Sequence, residues 1–204
     1  MSGESGAVVN HHAGRAGFAG PVGLVVGVVM LVAGRRRARV VADLVGVTGE
    51  DHVVDIGCGP GGAVAVAARR GARVTGVDPA PMMLWLARIF VRGRGIRWAE
   101  GKAESLPVPD ESATVAWAIA TVHHWPEIES ALTEVRRVLR PGGRFVTVER
   151  HSPADATGLA SHGWTEEQAH MFANHCRTAH FTEVRVDRHR TGRYAFWAVR
   201  ATRP

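Results

Sequence analysis

A short apolar run that leads straight into a glycine-rich loop is the feature that most constrains the fold. The run is Val53–Ile56, the loop reads Gly57-Cys-Gly-Pro-Gly-Gly62, and a helical pattern follows over Ala63–Arg70. Glycine allows the backbone to turn tightly between a strand and a helix. It also lets a ligand approach the main-chain N–H groups at the positive end of that helix. The stretch therefore predicts a strand–turn–helix unit that binds an anionic or polar group.

The alternation of strand and helix continues along the chain. The predicted strands are Val53–Ile56, Arg73–Val77, Ile96–Glu100, Val115–Ile119, Arg144–Glu149, Glu183–Asp187 and Arg193–Arg200. The predicted helices are 35–46, Ala63–Arg70, Met82–Val91, Glu127–Leu139 and Thr165–Thr178. Strands that alternate with helices at this spacing form a parallel sheet with helices on both faces. We therefore predict an α/β fold with a doubly wound, Rossmann-like, mostly parallel seven-stranded sheet that ends in an antiparallel C-terminal pair.

Local signals place two of the helix boundaries. Thr165 and Gln168 have the spacing of a capping box, which predicts a helix that starts just after Thr165. The helix before the fifth strand is expected to stop at Pro141-Gly142-Gly143. In helix 35–46, the residues Val40, Val41, Leu44 and Val45 are expected to share the buried face.

The composition fits one globular domain. The chain has 204 residues, 46% of them apolar and 22% charged, which is enough to build a core. Its net charge of +6 comes largely from scattered arginines, so we expect a solvated basic surface and no nucleic-acid partner. Cys58 and Cys176 are too few for a disulfide scaffold and indicate a reducing, cytoplasmic location. His170 and His175 are five residues apart with no ligand cluster nearby, so no metal site is predicted.

Two aspartates help to decide what the glycine loop binds. The glycines fit both a dinucleotide pattern, G-x-G-x-x-G, and the pattern G-x-G-x-G, so the loop alone is ambiguous. Asp55 ends the first strand, where a carboxylate suits an ammonium group. Asp78 ends the second strand, where a carboxylate can take both hydroxyls of a ribose. The expected ligand thus carries an amine, a carboxylate and a ribose.

Five ordered motifs resemble the class I S-adenosylmethionine-dependent methyltransferases over residues 40–150. They are Val53–Gly62, Val74–Ala80, Met82–Arg88, Gly101–Asp110 and Val135–Gly143. The resemblance is to the small-molecule branch that includes the quinone-biosynthesis C-methyltransferases. It implies S-adenosylmethionine as cofactor and methyl transfer to a small, partly hydrophobic acceptor whose O, N, S or C nucleophile is left open.

By position, the resemblance also implies the cofactor contacts. The glycine loop would hold the methionine moiety, the second-strand carboxylate the ribose, and a methionine the adenine. The expected residues are Asp55, Gly57, Cys58, Gly59, Gly61, Asp78, Pro79, Met83, Ala103, Glu104 and, through its carbonyl at the sulfonium end, Ala118. Two positions depart from the family, since Lys102 replaces the Asp that takes the adenine amino group and Thr114 stands where an Asp is common. Lysine cannot accept that hydrogen bond, so Glu104, a backbone carbonyl or water would have to accept it.

The segment Ala120–Trp125 leaves the fourth strand and, by the resemblance, enters the active cleft. Methyl transfer is an in-line displacement, in which positioning lowers the barrier and a base removes a proton. His123 and His124 are the expected catalytic bases, because imidazole titrates near neutrality. The structural alternative is that one of them caps or packs under the next helix while the other is exposed. Trp125 and Glu149 are expected to contact the substrate.

An apolar stretch, Pro21–Ala33, runs into the arginine cluster Arg35–Arg39. It is shorter than the roughly 20 residues that span a bilayer. The arginines follow the stretch, whereas a secretory signal carries its positive charge before the apolar core. A lid over the active site, a membrane-surface contact through residues 18–39 and a dimer interface are the three interpretations, so the protein is expected to be a monomer or a homodimer.

The lid is the preferred interpretation, because no other segment would cover the cofactor site. It divides the chain into an N-terminal lid, residues 1–34, and a methyltransferase domain, residues 35–204. The lid would place His11, His12, Phe18 and Leu24 at the acceptor. The alternative functions are an NAD(P)-dependent oxidoreductase and a non-catalytic cofactor-binding or membrane-associated protein.

Overall fold

The computed structural model describes residues 34–156, 163–192 and 194–204. Residues 34–44 are helical and are called α1. The elements that follow are β1 (His52–Ile56), α2 (Gly62–Arg69), β2 (Arg73–Asp78), α3 (Pro81–Phe90), β3 (Ile96–Glu100), β4 (Ala113–Ile119), a 3₁₀ turn (Val122–His124), α4 (Ile128–Val138), β5 (Leu139–Arg150), α5 (Glu166–Thr178), β6 (Thr182–Thr191) and β7 (Tyr194–Thr202). Strands and helices alternate as predicted, which confirms the α/β class.

The strands form one seven-stranded sheet in the order β3-β2-β1-β4-β5-β7-β6. Strands β1 to β5 run parallel, while β7 is antiparallel to both β5 and β6. This confirms the predicted sheet with its antiparallel C-terminal pair. The strand order reverses between β1 and β4, and ligands of open α/β sheets bind in the crevice at the carboxyl ends of such strands.

Helices cover both faces of the sheet, and each layer has its own apolar cluster. Helices α1, α2 and α3 pack on one face, whereas α4 and α5 pack on the other. Side chains alternate between the two faces along a strand. In β4, Trp117 joins the first cluster and its neighbours Ala116 and Ala118 join the second. Strand β4, buried at every residue except the partly buried Ile119, is therefore the central strand on which the two layers meet.

Helix α1 buries a slightly different face from the predicted one. Val41 and Val45 are buried as expected, together with Ala38 and Ala42. Val40 and Leu44 are only partly buried at the edge of this cluster. Since 38, 41, 42 and 45 follow the i, i+3, i+4, i+7 spacing of one helix face, small alanines bring α1 close to the sheet.

Strand β5 begins five residues before the predicted Arg144. The helix before it ends at Val138, and the strand then continues through Pro141-Gly142-Gly143. Gly142 has φ +74° and donates its N–H to the Arg203 carbonyl, while the Arg203 N–H donates back to Gly143. Glycine relieves the cost of this positive φ. The motif thus ends the helix, as predicted, and also carries the strand into pairing with the end of the chain.

The predicted capping box is confirmed. The Gln168 N–H donates to the Thr165 hydroxyl at 3.2 Å and the Thr165 N–H donates to the Gln168 side chain at 2.9 Å, so the capping box forms. Cys58 and Cys176 are both buried free thiols. Within the described ranges, no helix has the length and apolar content needed to cross a bilayer.

Candidate functional site

Four neighbouring strands deliver the predicted site residues to one edge of the sheet. Asp55 lies near the end of β1, Asp78 ends β2, and Glu149 lies next to last in β5. Asp55 is in register with Gly76 of β2 and Trp117 of β4. Because these strands are parallel, their carboxyl ends meet at the crevice where the strand order reverses.

The glycine loop is shaped by left-handed backbone at three positions. Gly57, Gly59 and Gly61 have φ of +72°, +52° and +84°, a region that other residues adopt at a cost. A Cβ on Gly57 would lie 2.8 Å from the Cβ of Thr121, and one on Gly61 would lie 2.6 Å from the Trp98 ring. A Cβ on Gly59 would meet nothing within 4 Å. The loop is therefore packed from two sides and open at its centre, where a ligand can approach the backbone.

Asp55 is a buried carboxyl with an incomplete set of partners. It is 2% exposed, and its Oδ2 atom has no hydrogen-bond partner in the described part of the structure. Burial raises the pKa of Asp55 to about 7, and the charge of Asp78 adds to the rise. The nearby Trp117 indole offsets part of this rise although its N–H makes no hydrogen bond of normal geometry. A cationic ligand group beside Asp55 would restore the charged form.

Asp78 holds the glycine loop in place. One carboxylate oxygen accepts the Gly59 N–H at 2.7 Å and the other accepts the Ala80 N–H at 2.9 Å. Burial nevertheless raises the pKa of Asp78, against these two hydrogen bonds. A carboxylate oxygen has more than one lone pair, so both oxygens can also accept ligand hydroxyls.

Among the predicted adenine contacts is a buried hydrogen-bond acceptor that has no donor in the described part of the chain. Met83 and Ala103 are buried, and the Glu104 Oε1 atom is buried with no partner among the described residues. Lys102 is exposed and forms an isolated β-bridge with Ser105. Of the acceptors considered for the adenine amino group in place of the missing Asp, Glu104 is the one with a free buried oxygen.

The second family departure, Thr114, has a structural partner. Its hydroxyl donates to Asp51 at 2.6 Å, and Asp51 also pairs with Arg144 at 2.5 Å. The His52 N–H donates to the same Thr114 hydroxyl at 3.1 Å. Thr114 therefore ties the start of β4 to the start of β1, at the edge of the sheet opposite the crevice.

An arginine on α4 fixes the loop that carries Ala103 and Glu104. Arg137 donates to the Leu106 carbonyl at 2.9 Å and the Val108 carbonyl at 3.0 Å. It also pairs with Glu134, whose carboxylate accepts the Leu106 N–H at 2.8 Å. The loop is thus clamped by charge-assisted hydrogen bonds, which are stronger than neutral ones.

The structure pairs His123 with Glu149. Glu149 is 1% exposed, and its two oxygens accept the Val122 N–H at 2.9 Å and the His123 Nδ1–H at 3.1 Å. Burial alone would lower the pKa of His123, but the hydrogen bond and charge of Glu149 raise it above its usual value. Because Glu149 accepts from Nδ1, the neutral ring carries its lone pair on Nε2.

The other predicted residues on this side take different positions. His124 is exposed, with its ring 4.0 Å from that of His123. Trp125 is buried and packs edge-on against Phe172 in the core, rather than on the surface of the cleft. The Ala118 carbonyl accepts the Thr147 hydroxyl at 3.0 Å. His11, His12, Phe18 and Leu24 lie outside the described residues.

Three contributors to the site were missed from the sequence. Ala120 has φ +58° at the end of β4, a strained conformation of the kind that occurs at functional turns. Thr121 packs on Gly57 and so connects the glycine loop to the histidine segment. Trp98 of β3 packs its ring against Gly61 of the loop. A tryptophan in a weak strand was the available signal for Trp98, whereas Ala120 and Thr121 lie in the segment that was expected to enter the cleft but were not singled out within it.

The residues present fit S-adenosylmethionine. The loop leaves open space at Gly59 where a ligand can approach its backbone, and Asp55 offers an unpaired buried carboxylate oxygen toward an ammonium group. Glu104 offers an unpaired buried oxygen beside Met83 and Ala103 for an amino group. Buried polar atoms are normally satisfied, so these orphaned acceptors indicate a ligand that carries donors in the same places.

Comparisons with known proteins find similarity to methyltransferases. A family model described as a methyltransferase domain matches residues 54–147. The demethylmenaquinone methyltransferase of Tropheryma whipplei (strain Twist) is 36% identical over 116 residues, which cover 56% of this chain and 48% of that protein. A sterol 24-C-methyltransferase of Gibberella zeae is 33% identical over 119 residues, covering 56% and 31%. The chain thus spans less than half the length of these relatives.

A solved structure gives the same answer for the fold. The crystal structure of a SAM-dependent methyltransferase from Aquifex aeolicus matches with a TM-score of 0.67 at 18% identity, over 82% of this chain and 89% of that one. At this identity the likeness concerns the fold alone. Taken with the domain match, it favours the methyltransferase interpretation over a nicotinamide oxidoreductase. Over residues 54–147 the chain resembles methyltransferase domains, and its fold is similar to that of a SAM-dependent methyltransferase.

Proposed function

We propose that the protein transfers a methyl group from S-adenosylmethionine to a small, partly hydrophobic acceptor, with His123 as general base. The observation that carries the proposal is the pairing of His123 with the buried Glu149 beside the glycine loop. Thr121 packs directly against Gly57, so the histidine segment and the cofactor loop are in contact. A base and an electrophile would therefore be held side by side.

The chain's own residues divide the work in this proposal. The cofactor, when bound, supplies an activated methyl group. Asp55 would hold the ammonium, Asp78 the ribose and Glu104 the adenine amino group, while His123 would take the acceptor proton on Nε2. Glu149 acts as a positioning residue, because it fixes the His123 ring and stabilises its charged form without reaching the acceptor.

The class of acceptor rests on the relatives. They are named for quinone and sterol methylation, and these substrates are apolar molecules. We further propose that residues 1–34 cover the cleft, with His11, His12, Phe18 and Leu24 at the acceptor. The sequence-based alternatives, membrane-surface contact through residues 18–39 and a homodimer interface, are tested by the same truncation.

Turnover and binding assays test the base. Formation of S-adenosylhomocysteine is measured with demethylmenaquinone, a sterol and a fatty acid as acceptors. His123→Gln should lower turnover by about 10²–10⁴-fold with unchanged affinity for S-adenosylhomocysteine, whereas His124→Gln is the matched control. Equal turnover of the His123 variant and the wild type would contradict the assignment of His123 as the base. Binding of NAD but not of S-adenosylhomocysteine would contradict the proposed function itself.

A truncation tests the cover. Removal of residues 1–33 should lower turnover while the calorimetric affinity for S-adenosylhomocysteine changes less. Full activity in the truncated protein would rule out a lid. Loss of vesicle binding with turnover intact would instead support the membrane contact, and a change only in sedimentation mass would support the dimer interface.

A further inference from the structure

The helical layer on one face of the sheet carries charge of almost one sign. The loop after α1, residues 45–51, adds Glu50 and Asp51, whereas residues 34–44, 62–71 and 81–95, which comprise α1, α2, α3 and the residues that directly follow α2 and α3, contain nine arginines and one carboxylate, Asp43. That carboxylate is paired with Arg70 at 2.5 Å. On the opposite face, α4 and α5 carry four glutamates and three arginines. The α1–α3 face therefore carries a larger excess of positive charge than the α4–α5 face.

A cavity of about 150 Å³ lies between α1, α2 and the end of α3. Its charged lining consists of Arg35, Arg69, Arg92 and Arg94, around a floor that includes Ala65 and Val91. The Arg35 Nε–H is buried with no hydrogen-bond partner, and none of the four guanidinium groups forms an ion pair within the described residues. Guanidinium groups bind phosphate in a bidentate fashion. The chemistry of this cavity therefore fits a phosphate group.

Exposed apolar side chains accompany these arginines. Trp85 is 56% exposed and Ile89 is 41% exposed, one turn apart on the side of α3 opposite its buried residues. Phe90, 46% exposed, lines the cavity itself. Tryptophan, isoleucine and arginine on one helical face are typical of surfaces that enter the headgroup region of a bilayer. A soluble phosphate compound would give no role to Trp85 and Ile89.

We propose that the α1–α3 face docks onto an anionic phospholipid bilayer. A lipid phosphate occupies the cavity, and Trp85 and Ile89 reach the boundary between headgroups and acyl chains. Nucleic acid fits this face less well, since an aliphatic side chain such as Ile89 cannot stack on bases. Helix α3 begins at the crevice, directly after Asp78 and Pro79. The cavity lies at the other end of this ten-residue helix, so docking would hold the crevice about 15 Å from the phosphate site.

Vesicle sedimentation with the full chain tests the docking. Vesicles of phosphatidylcholine alone are compared with vesicles that also contain phosphatidylglycerol, without cofactor or acceptor. Binding should require phosphatidylglycerol and weaken as salt is raised. Arg92→Glu/Arg94→Glu should weaken binding by about tenfold or more, because each basic residue near an anionic surface contributes about 1 kcal/mol. Trp85→Gln/Ile89→Gln should also weaken binding at constant charge.

A charge-matched control separates docking from net charge. Arg140→Glu/Arg185→Glu makes the same charge change at exposed positions of β5 and β6, away from the α1–α3 face, and should bind like the wild type. Equal loss in both double variants would overturn the proposal, as would equal binding to neutral and anionic vesicles. Tighter binding to an RNA oligonucleotide than to vesicles would overturn it in favour of nucleic acid. Complete displacement by millimolar inorganic phosphate would assign the cavity to a soluble anion. Since no cofactor is present, a failure here leaves the proposed methyl transfer untouched.

Discussion

The two halves of the cleft treat their buried carboxylates in opposite ways. On the cofactor side, Asp55 and Asp78 form no ion pair with a described residue, and burial raises both pKa values. On the acceptor side, Glu149 is equally buried but is held by a backbone N–H and by His123. A buried charge without a partner is costly. The difference supports the proposal that a cationic ligand completes the cofactor side at Asp55, whereas Glu149 on the acceptor side already has its partner in the chain.

The largest expected effect is on stability, when a methyl group is added at Gly57, where the glycine loop contacts the histidine segment. Gly57→Ala combines a positive φ with a collision against Thr121, and should lower the free energy of unfolding by roughly 3–5 kcal/mol. Gly59→Ala is the control, because its φ is positive but the space around its Cβ is open. Thermal and denaturant unfolding measure both variants. A Gly59 variant as unstable as the Gly57 variant would contradict the packing argument.

The Gly59 control has its own expected effect on binding. Its added methyl group points into the open centre of the loop, so it should reduce affinity for S-adenosylhomocysteine by more than it reduces stability. Calorimetry on the folded variant measures this affinity. Unchanged affinity would show that the ligand lies elsewhere.

The next effect is the dependence of stability on Asp55. The pKa of about 7 lies above the value of 3.8 for an ordinary Asp, so the folded state binds a proton that the unfolded state has lost. Stability should therefore fall as pH rises from about 4 to 7. Asp55→Asn removes this loss and should be more stable than the wild type above pH 7 by about 2–4 kcal/mol, with no gain near pH 4.

Ligand binding should reverse the behaviour of Asp55. A bound ammonium group would lower its pKa, so the wild type should release a proton on binding S-adenosylhomocysteine between pH 6 and 7, and Asp55→Asn should bind more weakly without that release. Calorimetry in buffers of different ionisation enthalpy counts the protons. Equal proton release by the wild type and Asp55→Asn would show that Asp55 is not the group that loses its proton when the ligand binds.

A smaller effect is expected from neutralising the acceptor-side carboxylate. Glu149→Gln keeps an acceptor for Val122 but removes the charge that raises the pKa of His123. The acid limb of the turnover–pH profile should move to lower pH and the maximum rate should fall. In the wild type, the stability contributed by this pair is complete below the ordinary histidine pKa and is lost as pH rises through the folded value. An unmoved acid limb would show that a different group titrates.

The smallest expected effect lies between the two halves. The Thr147 hydroxyl donates to the Ala118 carbonyl, which the resemblance places at the sulfonium end of the cofactor. Thr147→Val keeps the shape and removes this hydrogen bond, so stability should fall by about 1 kcal/mol. Unfolding in urea measures the change. If Thr147→Val lowers the free energy of unfolding by more than Glu149→Gln does, the Thr147–Ala118 hydrogen bond, and not the Glu149–His123 pair, organises the acceptor side.

Much of the molecule could be predicted from local patterns. The alternation of strands and helices, the strained glycine loop and the carboxylates at the ends of β1 and β2 all depend on neighbours in sequence. The predictions were less accurate where long-range contacts decide, as at β5, which extends through Pro141 to pair with the end of the chain. The same holds for Trp125, which the sequence placed at the substrate and the structure buries against Phe172.

The sequence alone was enough to predict the class of fold and the glycine loop between β1 and α2, because backbone preferences and side-chain periodicity act over a few residues. Only the tertiary structure decided which groups are paired and which are not. Glu149 meets His123 across 26 residues because β4 and β5 are adjacent. Four arginines, from α1, from α2 and from the loop after α3, line one cavity because these elements share a face. Such contacts follow from the packing of elements that are distant in sequence, and no local pattern contains them.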